Sequence, residues 1–269
     1  MNAYYWWRGR FFEPAERLSI LDLVNSGTLN LRLASILWLI MERRASVLVV
    51  AGPNMAGKTT LLNALLDFLP PEVEQVDLDG MYEDFEFIEH SVPNKTYMVA
   101  PEINWYGFYL WGREARRAFE LISQGYAFGS TMHARTVEET AGILHYDLGL
   151  PLSLIVNINV IITLRMIGNW MSRTEPERLV EKVGILGPGQ KGLSVEFIAS
   201  RSSTDRELHC ASDKQLSTAL SKKFEIKYKK IAPEIRLREQ FLDNLLTNNV
   251  RSHRKVREAI VGFYRSRPY

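Results

Sequence analysis

The stretch Gly52-Pro53-Asn54-Met55-Ala56-Gly57-Lys58-Thr59 constrains this chain more than any other part of it. It follows a short β-branched run, Val47–Val50, and precedes an apolar-periodic segment that reaches Leu69 before Pro70-Pro71. Glycine at both ends lets the backbone curl until its N–H groups face one point, and the following helix adds positive potential there. The pattern is GxxxxGK followed by Ser or Thr, in a strand–loop–helix context, so Gly52–Thr60 is expected to cradle phosphates. Within it, Lys58 is expected to reach the β- and γ-phosphate oxygens, and the Thr59 hydroxyl to ligate Mg²⁺. The expected ligand is MgATP, held by Gly52, Pro53, Asn54, Met55, Ala56, Gly57, Lys58, Thr59 and Thr60.

Strand and helix patterns alternate along the chain. Val73–Leu78, Thr96–Val99, Ala127–Met132, Val156–Leu164, Leu179–Ile185 and Leu193–Ile198 read as further strands. Leu18–Leu23, Leu31–Met41, Arg113–Gln124 and Val137–Tyr146 read as helices, with Thr28 or Asn30 capping the second. Alternation of this kind predicts an α/β fold with a mostly parallel sheet covered on both faces. After the Gly/Pro-rich turn at Gly187–Gly192, Lys214–Lys223, Ile235–Leu246 and Arg254–Tyr264 read as helices. Residues 201–269 carry 16 Lys/Arg against 8 Asp/Glu, whereas 1–200 carry 17 against 23. This shift places a boundary near 200. Residues 1–200 then form the P-loop domain with a helical lead-in over 1–45, and 201–269 a small basic helical appendage.

A P-loop needs a carboxylate at a neighbouring strand end, where it can hold the metal through water and orient an attacking water. Glu102 closes the run Tyr97–Pro101 and is the first candidate for the catalytic and metal-facing acid. Glu114 is the second, and Asp77 and Asp79 end the preceding strand. Gly129-Ser130-Thr131-Met132-His133-Ala134 places a histidine at another strand end. It can contact a γ-phosphate or couple the phosphate site to the next strand.

Composition sets the remaining bounds. The single cysteine, Cys210, excludes an internal disulfide and fits a reducing cytoplasm. The start MNAYYWWRGRFF has no apolar core of a signal peptide. No apolar run reaches the roughly 20 residues of a membrane span. The five histidines show no metal-ligand spacing.

Several blocks in order resemble the type II/type IV secretion ATPases, most of all the archaeal-type pilus and flagellar branch. They are the lead-in LSILDLVNSGTLNLRLASILWLIMERRASVLVVAGPNMAGKTT, then GREARRAFELISQGYAFGSTMHA, LGLPLSLIVNINVIITLRM and LREQFLDNLLTNNVRSHRKVREAIVGFY. The resemblance implies a RecA-like core, MgATP hydrolysis and a homo-oligomeric, hexameric ring that works on a membrane platform protein. It implies a cytoplasmic position at the inner face of the membrane. Lys58 and Thr59 match the Walker A pair, His133 the His-box histidine and Glu102 the Walker B acid; Lys58, Glu102 and His133 thus form the expected catalytic set. Asp77 or Asp79 falls in the acidic-box region. Asn104 stands where the family has arginine. An arginine finger has no assigned position among Arg113, Arg116, Arg117 and Arg135. The family's separate N-terminal domain is not expected ahead of residue 17, and a separate chain is a candidate to supply it. Nucleic acid is not expected as a partner. The alternative function is a nucleotide-binding regulatory subunit with little hydrolysis.

Overall fold

Two helices lead into the sheet. The computed structural model describes residues 17–168, 176–190, 192–202 and 206–267. The aromatic start of the chain therefore lies outside the described residues, as does the first part of the expected lead-in. Ser19 and Asp22 cap each other's backbone at the start of α1 (Ile20–Asn25). Asn30, one of the two expected caps, accepts from Leu33 N at 2.8 Å and opens α2 (Leu31–Glu42). Buried residues run without a break from Leu33 to Met41, so α2 is an interior helix.

The alternating units follow: β1 (Val47–Val50), α3 (Lys58–Leu66), β2 (Glu74–Asp77), β3 (Thr96–Val99), α4 (Gly112–Ser123), β4 (Ala127–Met132) and α5 (Val137–Gly142). A wide turn, Ile143–Asp147, extends α5. Then come α6 (Leu152–Ile155), β5 (Val160–Ile167), β6 (Glu177–Gly189), β7 (Gly192–Arg201), β8 (Leu208–Cys210), α7 (Asp213–Phe224), α8 (Tyr228–Thr247) and α9 (His253–Arg265).

One sheet runs β2-β3-β4-β1-β5-β6-β7-β8. β1 lies between β4 and β5 and is parallel to both. All four of its residues are buried. Val47 and Val49 face one apolar layer, with α1, α2, α3 and the C-terminal helices. Leu48 and Val50 face the other, with α4, α5 and α6. The two-residue period of a strand thus serves both faces.

The expected parallel arrangement holds from β2 to β5, and the rest of the sheet differs. β6, β7 and β8 each pair antiparallel with the strand before. A parallel return needs a crossover of a dozen or more residues, and the ladder between β6 and β7 closes at Gly189 opposite Gly192. A hairpin is the arrangement that connection permits. The expected strand Val156–Leu164 begins at Val160, because Asn157 N and Ile158 N bond back to Leu154 O and Ile155 O and turn the chain out of α6.

The C-terminal helices pack on α2. The Trp38 ring, fully buried, stacks on Phe68 with centroids 5.2 Å apart and meets Phe263 at 4.7 Å. Trp38 Nε1 donates to the Tyr264 hydroxyl at 2.9 Å, and that hydroxyl donates to Phe68 O at 2.6 Å. Trp38→Ala is expected to cost about 3–5 kcal/mol of unfolding free energy in urea titration, since it removes the ring and leaves a cavity.

Arg238 is buried over the Trp38 ring and pairs with Glu42 and, at 2.6 Å, Glu234. Several of the basic residues in the expected appendage are thus matched by acids within the chain. Arg267, with Arg238, holds the Glu234 carboxylate down to about 2 from its ordinary 4.5. A folded value below the unfolded one stabilises above pH 4.5, and that contribution is lost as pH falls towards 2. Solvent reaches the pair, so the contribution is about 1 kcal/mol or less. Glu234→Gln is therefore expected to lower the thermal midpoint at pH 7 by about 2–4 °C at most, and to leave it unchanged near pH 2.

Candidate functional site

Three parallel neighbours, β3, β4 and β1, end at the same edge of the sheet. The chain after β1 departs to the far edge and returns on the other side of it, so the order of connection reverses around β1. Crevices at such reversals, beyond the carboxyl ends of the strands, are where open α/β sheets bind ligands. Gly52 follows β1, Glu102 follows β3 and His133 follows β4. The segments stay tied beyond the strands: Ala51 N donates to Met132 O at 3.3 Å and Ile103 N to Thr131 O at 2.8 Å. The Thr131 hydroxyl donates to Pro101 O at 2.8 Å, so this member of the Ser-Thr-Met-His stretch couples β4 to the segment carrying Glu102.

Lys58, Glu102 and His133 meet. Lys58 Nζ stands 3.2 Å from His133 Nε2, which is 3.5 Å from Glu102 Oε1. His133 Nδ1 lies 3.0 Å from the Gly52 carbonyl oxygen. A carbonyl only accepts, so Nδ1 carries the proton, and in neutral His133 Nε2 accepts from Lys58. The Asn104 amide donates to Glu102 Oε1 at 2.7 Å. Lys58, Glu102 and Asn104 are all buried. Burial draws the Lys58 ammonium below the usual lysine value, and the Glu102 carboxylate pulls it partly back. Burial, then the charge of Glu102, pushes the nearby Tyr109 phenol above its ordinary value.

The loop itself turns through left-handed residues at Met55 (φ 60°) and Gly57 (φ 88°), and Gly57 is the cap of α3. A Cβ at Gly57 would stand 3.1 Å from Arg178 Cδ, and one at Gly52 3.0 Å from Arg135 Cγ. Arginine stems thus pack against both ends of the loop. Arg178 Nε also donates to Met55 O at 3.0 Å. Pro53, Asn54, Met55 and Thr59 are exposed, Thr60 is half-buried and Ala56 is buried. A cleft of about 530 Å³ opens beside the loop, lined by Gly52, Asn54, Asn104, Trp105, Tyr106, Trp111 and His133 among others.

Other candidates stand apart. Asp77 ends β2, three strand spacings or about 14 Å from β1. The Asp79 N–H donates to the Glu83 carboxylate, in the loop beyond β2. Glu114 pairs with Arg113 at 3.1 Å in the first turn of α4. Arg116 donates to Leu148 O and Arg117 pairs with Glu120. Sequence reasoning missed Arg178 and did not give Asn104 its contact with Glu102. The Asn104 contact was open to inference, since the two residues share a strand end; no local signal ties residue 178 to the loop.

No protein-family model matches the chain. It is similar to two uncharacterized proteins of Methanocaldococcus jannaschii. MJ1287 is 24% identical over 254 residues, covering 83% of this chain and 90% of that protein. MJ0900 is 23% identical over 282 residues, covering 92% of this chain and 49% of that protein. Among solved structures, the VirB11 ATPase of the Brucella suis type IV secretion system, in complex with sulphate, aligns with a TM-score of 0.42. It is 20% identical, over 67% of this chain and 61% of that one. The Yersinia pseudotuberculosis ATPase DotB aligns with a TM-score of 0.40 and 14% identity, over 92% of this chain and 63% of that one. The chain spans under two thirds of the length of both solved chains.

Proposed function

We propose that this chain binds and hydrolyses MgATP as a motor ATPase of a type II/IV secretion, pilus or related filament-assembly system. The observation that carries the reading is the meeting of Lys58, Glu102 and His133 beside a loop of P-loop sequence, at the carboxyl ends of three parallel strands. The residues fit the ligand. The loop turns through left-handed Met55 and Gly57, α3 begins at the loop, and Lys58 is already at its mouth. Exposed Thr59 and buried Glu102 are the residues that would hold magnesium with the phosphates. The metal would neutralise phosphate charge.

On this reading Lys58 binds the β- and γ-phosphates, Glu102 orients and deprotonates water, and His133 links the γ-phosphate position to the Gly52 carbonyl and to Glu102. Residues 1–200 form the RecA-like ATPase domain and 201–269 its basic helical appendage. Copies assemble into a ring at the cytoplasmic face of a membrane platform protein. Among the described residues no helix is long and apolar enough to cross a membrane. Steady-state phosphate release from MgATP tests the reading, with Lys58→Ala as reference. Wild-type turnover no higher than that of the variant sinks hydrolysis.

One observation favours a second reading, a nucleotide-binding subunit that hydrolyses little. The Asn104 amide donates to Glu102 Oε1, so one of that carboxylate's acceptor positions is already taken before water or metal arrives. MgATP binding without turnover would select it.

A further inference from the structure

A side chain that reaches the loop from another strand has no place in the reading above. Arg178 lies near the start of β6, 123 residues from Met55. Its stem packs on Gly57 and its Nε–H donates to the Met55 carbonyl at 3.0 Å. Met55 holds φ at 60°, a region that residues with a Cβ rarely adopt, because Cβ crowds the carbonyl oxygen. Met55 is also exposed, so apolar burial does not hold it there. Arg178 donates to the Met55 peptide oxygen while Met55 is in this left-handed turn. The turn lies within the stretch whose N–H groups a phosphate would need.

We propose that Arg178 is a positioning residue: it holds Met55 left-handed and so pre-forms the phosphate cradle before any nucleotide arrives. The proposal rests on the nucleotide-binding reading of the loop. Pre-formation matters because binding otherwise has to supply the conformational free energy, and affinity falls by the population of the competent form. Sequence alone offers no trace of this, since Met55 is an ordinary residue at a variable position of the motif.

Glycine adopts φ near 60° without penalty, so Met55→Gly removes the need for the holding bond. That makes the test a double-mutant cycle, read by calorimetric titration of MgATP into the full chain. Arg178→Met keeps an apolar stem against Gly57 and deletes the donor. It is expected to bind MgATP about 5- to 30-fold more weakly, the equilibrium equivalent of the left-handed penalty. Met55→Gly added to it is expected to restore most of the affinity. Met55→Gly alone is the reference for the cycle, and the loss caused by Arg178→Met in that background is expected to shrink to less than about 3-fold.

Arg178→Met binding like wild type overturns the proposal. So does a loss that Met55→Gly leaves in place; if Arg178→Lys then restores binding, the arginine acts as a charge on the phosphates. Thermal unfolding without nucleotide checks that each variant folds, and Arg178→Gln, too short to span the same distance, replaces Arg178→Met if that one does not. Identical flat isotherms for wild type and Lys58→Ala remove the nucleotide reading, and this proposal with it. A loss confined to the Arg178 variants and reversed by glycine supports both.

Discussion

Lys58→Ala is expected to weaken MgATP binding at least about 30-fold, the lower end of what truncating one partner of a desolvated charge pair costs. Lys58 is buried at the start of α3, where the ammonium has given up most of its water and keeps His133 Nε2 as a partner at 3.2 Å. Burial lowers its proton affinity, because the ammonium has lost hydration there. Glu102 offsets only part of this. Phosphate oxygens would complete the compensation, and alanine offers them nothing. The backbone cradle and the helix terminus survive the substitution, so residual binding is expected. Calorimetry with MgATP measures the change. A dissociation constant within about 3-fold of wild type would falsify the assignment of Lys58, since one charge-assisted hydrogen bond alone is worth more than that.

Glu102→Gln is expected to separate binding from chemistry. Turnover should fall about 10²- to 10⁴-fold, the usual contribution of a positioned acid or base. MgATP affinity should fall far less than turnover, because glutamine keeps the shape, its carbonyl oxygen can still accept from the Asn104 amide 2.7 Å away, and Lys58 and the loop remain. A loss in kcat well beyond the loss in binding is the signature of a group used more in the transition state than in the ground state. A fully active Glu102→Gln chain would transfer the role to another acid. Glu114 would be an awkward heir, since it is held by Arg113 in the first turn of α4.

Much of this site was legible because strands carry their own punctuation. Val47–Val50 and Thr96–Val99 are short runs closed two residues later by glycine or proline, and Gly52 and Glu102, at those closures, both come to His133. His133 follows β4 in the same way. Strand direction was less legible. Leu179–Ile185 and Leu193–Ile198 show the same apolar character whether they run parallel or antiparallel, and only the shortness of the Gly189–Gly192 connection separates the two. Val156–Asn159 misled for a different reason: this start of the expected strand Val156–Leu164 carries apolar Val156 and Ile158 in alternation, and it folds as the turn between α6 and β5. Arg178 was beyond reach, because a contact across 123 residues depends on how the β6 strand is laid against β5 and the loop beside β1.

Among the described residues, the two ends of the eight-stranded sheet carry a consequence for self-association. One outer strand, β2, is four residues long and reads Glu-Gln-Val-Asp; the other, β8, has three. Strands this short, and at one end this charged, are poor templates for an incoming strand. Copies of the chain that come together are thereby steered away from fusing their sheets into a continuous ribbon, and towards contacts between side-chain surfaces that can open and close without unpicking a backbone ladder.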